Sequence, residues 1–131
     1  MKQELQGISR PEIKDKEIST TATAKQNTPD FEVKNLRNKD IKIFYITILP
    51  DPTFKTNGIL LAEIEGQPTI LEIEAGSLVR TSELVLGMTP NGAIFPRNTT
   101  LKFFAWVTSG TGKVTVFVTI GEWSECRKWT F

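Results

Sequence analysis

Histidine is absent from the 131 residues. That removes Ser-His-Asp and Cys-His nucleophile activation, the usual zinc ligand sets, and the commonest general base near neutral pH. A single cysteine, Cys126, has no partner for an internal disulfide. A disulfide-stapled extracellular module is therefore disfavoured, and folding in a cytoplasm is the simplest expectation. No apolar run reaches the length of a membrane span, and the N-terminal MKQELQGISRPEIKDKEI lacks the apolar stretch of a signal peptide. An excess of one charge is missing too: 16 basic and 15 acidic residues give a net +1, with no basic stripe. Neither nucleic acid nor a membrane is expected as a partner.

Aromatic residues are missing from the first 30 positions; every one lies at or after Phe31. The large apolar side chains of that region are only Met1, Leu5, Ile8, Ile13 and Ile18, and it runs into the Thr-, Ala- and Gln-rich STTATAKQNTP. Such a stretch buries too little apolar area to offset its ordering entropy. Residues 1–29 are read as an N-terminal arm, disordered alone and ordered on a partner, and dispensable for folding. Ser9-Arg10-Pro11-Glu12 has capping-box spacing compatible with the start of one short helix, which on its own is marginal in water.

What is present after Phe31 is strand upon strand. FEVKNL (31–36), IKIFYITIL (41–49), ILLAEI (59–64), TILEIE (69–74) and AIF (93–95) are rich in β-branched and aromatic residues and bounded by turn residues. ILPDPTFKTNG reads as a long loop broken by Pro50, Pro52 and Asn57-Gly58. LVRTSELVLGM fits both strand and helix. Pairing Ile64 with Thr69 places Leu60, Ala62, Leu71 and Ile73 on one face and Glu63 and Glu72 on the other. Seven or eight strands with turns every 8–12 residues predict an all-β fold, an antiparallel β-sandwich with jelly roll as one form, over residues 30–131. Residues 121–131 form its C-terminal tail.

LKFFAWVTSGTGKVTVFVTI (101–120) reads as a hairpin closed by Thr108 and Lys113. Its core face then holds Leu101, Phe103, Ala105 and Val107 opposite Ile120, Val118, Val116 and Val114. The other face brings Phe104, Trp106 and Phe117 together among Lys102, Thr115 and Thr119. Two coverings are open for it: the chain's own tail, loop 50–58 or a second sheet, or else a partner. The candidate partner-binding set is Leu5, Ile8, Ile13 and Ile18 of the arm, Phe104, Trp106 and Phe117 of this face, and Trp129 and Phe131 of the tail.

Candidates for chemistry are few. Cys126 lies between Glu125 and Arg127 and beside Lys128; a neighbouring cation can lower a thiol's pKa, but an incidental thiol near the end of the chain is the favoured reading. Glu63, Glu65, Glu72 and Glu74 alternate with core residues at period two, as a solvated sheet face does. SGTGK joins two strands, whereas a phosphate-binding loop opens a helix and spaces its glycines differently. No catalytic residue, metal ligand or cofactor is assigned, and no enzyme activity is expected.

The order of parts resembles small β-sandwich and jelly-roll structural proteins of double-stranded DNA viruses and tailed phages, among them capsid decoration, cement and vertex proteins. The resemblance runs over residues 59–123 plus the arm. It rests on the polar N-terminus, the AGS, PNG and PRN turns between short strands, and the closing LKFFAWVTSGTGKVTVFVTIGEW. It is one of arrangement, and no site residue is carried over. It implies a non-enzymatic virion component, made in a host cytoplasm, that binds a major capsid protein or further copies of itself as a homo-oligomer. A carbohydrate-binding β-sandwich module, stacking sugar rings on Trp106 and the two phenylalanines, is the alternative.

Overall fold

The computed structural model describes residues 11–65, 69–73, 84–87 and 93–122. Its strands are β1 (Glu12–Thr20), β2 (Phe31–Lys34), β3 (Ile41–Pro50), β4 (Gly58–Ile64), β5 (Thr69–Ile73), β6 (Leu84–Gly87), β7 (Ala93–Phe95), β8 (Thr100–Val107) and β9 (Gly112–Gly121). One helical turn and a half, α1 (Pro52–Asn57), precedes β4. Sheet A has the order β1-β9-β3-β6, with β7 on the β6 side of β3; sheet B has the order β2-β8-β4-β5.

All pairings are antiparallel, and they nest. β4 pairs its neighbour β5, β3 pairs β6, β2 pairs β8, and β1 pairs β9, the pairs falling alternately in sheets B and A. One long hairpin rolled up on itself has this wiring, which is a jelly roll. Both inner faces supply the core, with Ile43, Ile46, Ile48, Val114, Val116, Val118 and Ile120 from sheet A against Leu60, Ala62, Leu101, Phe103, Ala105 and Val107 from sheet B. The β4–β5 register matches the sequence expectation at Leu60–Ile73, Leu61–Glu72 and Ala62–Leu71, and a bulge then sets Glu63 opposite Thr69.

The hairpin expected at 101–120 is corrected. β8 lies in sheet B and β9 in sheet A, and they share no ladder. Thr108–Thr111 is an arch from one sheet to the other. Gly110, at φ 72°, supplies its left-handed residue. Val107 pairs with Gly58, and Lys113 exchanges bonds with Asp51, accepting from the Asp51 N–H at 2.9 Å. The assignment of inner faces survives, because two strands whose apolar faces were to lie side by side instead lie face to face across the core.

Two local readings also change. The expected long loop at 50–58 contains α1, whose signals are Asp51 as N-cap and Pro52 in the first turn. The Asp51 carboxylate accepts from the Phe54 N–H at 2.8 Å. Phe54 is fully buried and closes that end of the sandwich against Gly58 and Gly112. Glu12, the last residue of the capping-box spacing, opens β1, so the marginal helix is replaced by a strand from that residue on. At the opposite end, buried Asn35 donates to the carbonyls of Lys39 and Phe95 at 3.0 Å each and accepts from the Arg37 N–H at 2.9 Å. Its polar atoms are thereby satisfied, which is what makes a buried amide tolerable.

Candidate association surfaces

β1 is an edge strand with an unusual inner face. Its nine residues pair along β9 from Glu12–Ile120 to Thr20–Gly112. Glu12, Lys14, Lys16, Ile18 and Thr20 share the inward parity, since they stand opposite Ile120, Val118, Val116, Val114 and Gly112. Only Ile18 and Thr20 are buried. Lys14 and Lys16 lie at the rim, where Lys16 Nζ donates to the Asp30 carbonyl at 2.7 Å and bridges the open side between the two sheets. Inward-pointing charge on an edge is a device against unwanted strand pairing.

The start of β1 is tied by ions. Arg37 Nη2 stands 3.2 Å from Glu12 Oε1 and Arg37 Nη1 3.7 Å from Glu122 Oε2, while Lys39 Nζ stands 3.1 Å from the same Glu122 oxygen. These groups are partly exposed, so each pair is worth at most about 1 kcal/mol. Their role is register: they join the first residue of β1, the loop after β2 and the residue after β9.

The segment 21–30 continues from β1 across the sandwich and runs beside β8 as a strap. The Val107 N–H donates to the Ala22 carbonyl at 2.9 Å, the Ala105 N–H to Asp30 Oδ2 at 2.8 Å, and the Asp30 N–H to the Phe103 carbonyl at 2.8 Å. A segment too polar to build a core thus satisfies the edge of β8 beyond the end of β2. Between those anchors it places Lys25 over the outer face of sheet B.

The expected aromatic patch is not assembled. Phe104 and Trp106 point outward from sheet B, opposite Leu61 and Ile59, whereas Phe117 points outward from sheet A between Asp15 and Thr47. Phe104 is 3% exposed, Trp106 and Phe117 half-buried. Of the remaining candidates, Ile18 belongs to the core and Ile13 is half exposed on sheet A. Leu5, Ile8, Trp129 and Phe131 lie outside the described residues. The strap and β1 were missed because neither alternates apolar and polar residues. Their signal was main-chain demand from the edges of β8 and β9, which no local pattern displays.

Among the described residues, three shallow hollows bear on the strand edges. One of about 250 Å³ is hydroxyl-rich, with Ser19, Thr20, Thr21 and Thr111 beside Asp51 and Lys113. One of about 330 Å³ lies between the β1 and β2 edges, bordered by Ile13, Phe31, Val33 and Leu36. The third, of about 270 Å³, is bordered by Asp40, Ile41, Lys42, Ile94 and Glu122. Among the described residues, no group of three or more acidic or cysteine side chains is placed to hold a metal ion.

No family model and no curated protein matches the chain. Among solved structures, a chain of the cyanophage Pam1 capsid asymmetric unit is similar over 86% of each chain, at 18% identity and a TM-score of 0.45. At that score nothing about role or partner is transferred.

Proposed function

We propose that this protein is a non-enzymatic structural component of a virus particle, a capsid decoration, cement or minor capsid protein that binds neighbouring subunits through its N-terminal arm. The observation that carries the proposal is the way β1 is held. An edge strand with a charged inner rim is attached by its main-chain ladder and by Ile18 and Thr20. The arm's apolar side chains Leu5 and Ile8 precede it by a few residues. A chain built this way delivers an adhesive segment from the margin of a closed sandwich without opening the core. The jelly roll serves capsid and lectin domains alike, so the wiring alone does not choose between them. The sugar-stacking alternative loses its platform, because Phe104 is buried and Phe117 is on the other sheet.

Direct β1–β1 pairing between copies is opposed by charge. Two-fold antiparallel strands must set residues of like parity opposite one another. Centring on Asp15 puts it against itself and Lys14 against Lys16; centring on Lys16 puts it against itself and Asp15 against Glu17. Both stack like charges, which is destabilising. Self-association is therefore assigned to residues 1–10. Light scattering on the full chain should show an oligomer, and removal of residues 1–10 should return it to a monomer with an unchanged melting curve. A full chain that is monomeric at every concentration and sediments with no shell subunit would refute the proposal.

A further inference from the structure

Two strand margins of this fold are guarded. β1 turns Lys14 and Lys16 toward the rim, and the edge of β8 beyond β2 is bonded by Ala22 and Asp30. β2 has neither device. Its inward side chains, Phe31 and Val33, are apolar, and Leu36, 86% exposed, follows it at the border of the hollow between β1 and β2.

The ladder fixes which main-chain groups β2 leaves open. The Asn35 N–H donates to the Thr99 carbonyl at 3.1 Å, so Asn35–Thr99 is a bonded pair, and alternation makes Val33–Leu101 the next. The N–H and C=O groups of Glu32 and Lys34 therefore point to the free edge. Their side chains are exposed, one acidic and one basic. Among the described residues neither forms an ion pair; Lys102, which stands opposite Glu32, pairs with Glu65 at 3.6 Å.

An antiparallel copy of the same strand fits this edge. A two-fold axis at Val33 sets Glu32 opposite Lys34 of the second copy, and Lys34 opposite its Glu32. Both pairs are of opposite charge. Both also have their main-chain groups facing the seam, so each exchanges its N–H···O=C bonds. Centring the axis on Glu32 or on Lys34 instead opposes that residue to itself, like charge against like. Charge therefore permits for β2 the pairing that it opposes for β1.

We infer that two copies of this chain pair antiparallel through β2, centred on Val33, and join their B sheets into one continuous sheet. A contact between two strands of 4 residues falls short of the roughly 1,200 Å² that a stable complex buries. The pairing is therefore populated at millimolar concentration, as between copies held side by side on a shared surface, and not in dilute solution. The inference does not use residues 1–10. It goes beyond the arm's role by assigning how neighbouring copies are oriented.

Disulfide cross-linking in the full chain, with Cys126→Ser as background, tests it. Glu32→Cys and Lys34→Cys chains are mixed in equal amounts at about 1 mM, oxidised mildly and weighed by mass spectrometry. The axis sets the two thiols opposite each other, with Cα atoms about 5.5 Å apart, within disulfide reach. Like thiols meet only on the diagonal, at about 7–8 Å. The mixed dimer should therefore exceed either like dimer by about tenfold. Without engineered thiols, the Glu32 and Lys34 amides should exchange more slowly at about 1 mM than in dilute solution. Lys34→Glu should abolish that slowing, and Glu32→Lys combined with Lys34→Glu should restore it. Linked dimers in the statistical proportion of random collision, or no linked dimer, overturn the inference. If the full chain is nevertheless an oligomer in dilute solution, the arm's role stands without the β2 contact. A chain that is monomeric when dilute yet gives the mixed dimer at about 1 mM supports the β2 contact and removes self-association by the arm.

Discussion

The Lys25 ammonium stands 4.4 Å from the centroid of the Phe104 ring and 3.5 Å from Glu63 Oε1. The strap thereby lays a cation over the outward ring of Phe104, which is 3% exposed. Lys25→Ala should cost about 1 kcal/mol in a urea melt, the range of a partly exposed cation–π contact. Lys25→Met retains an apolar stem and should cost less. Equal melts for all three proteins would show that the strap holds only through its main chain.

Phe54 and Gly58 are matched as plug and seat. A Cβ on Gly58 would stand 2.4 Å from Phe54 ring atoms, although the backbone there, at φ −89° and ψ 151°, suits any residue. Gly58→Ala should therefore destabilise through overpacking, by about 1–3 kcal/mol. Phe54→Ala should cost about 3–5 kcal/mol for a fully buried ring. In the Phe54→Ala background the second change should become neutral or favourable, since the space is then free. Additive losses in that double-mutant cycle would contradict the packing described.

Val116 sits at the centre of sheet A's inner face and is fully buried. Val116→Asp places a carboxylate with no partner in the core, at a cost of several kcal/mol, comparable to the stability of such a domain. Expression should give insoluble or unfolded protein. A soluble, cooperatively melting variant would mean that the inner face is wrongly assigned.

Truncation should show two regimes. Loss of residues 1–10 should leave the melting temperature unchanged. Loss of residues 1–20 removes Ile18, worth about 2 kcal/mol in buried area, and leaves the edge of β9 unpaired, which favours aggregation. Equal stability of the two truncated chains, compared by urea melt, would show that β1 adds nothing to the fold.

Much of this molecule is written in its period-two pattern. The inner residues of β8 and β9, the β4–β5 register and the strand at 93–95 follow from alternation and turn chemistry, which act over a few residues. α1 has its own local signal, the Asp51-Pro52 N-terminus, which competes with the helix-breaking reading of the same prolines. Which strand pairs with which was not legible. An apolar face is satisfied equally beside another strand or across from it, so LKFFAWVTSGTGKVTVFVTI encodes its faces but not its partners. Only the rolled topology, where β8 joins β2 and β4 while β9 joins β1 and β3, decides that Phe104 and Phe117 look away from each other. The same holds for β1 and the strap. Their sequence is too polar to announce a role, and the unpaired edges of β9 and β8, distant in the chain, create it.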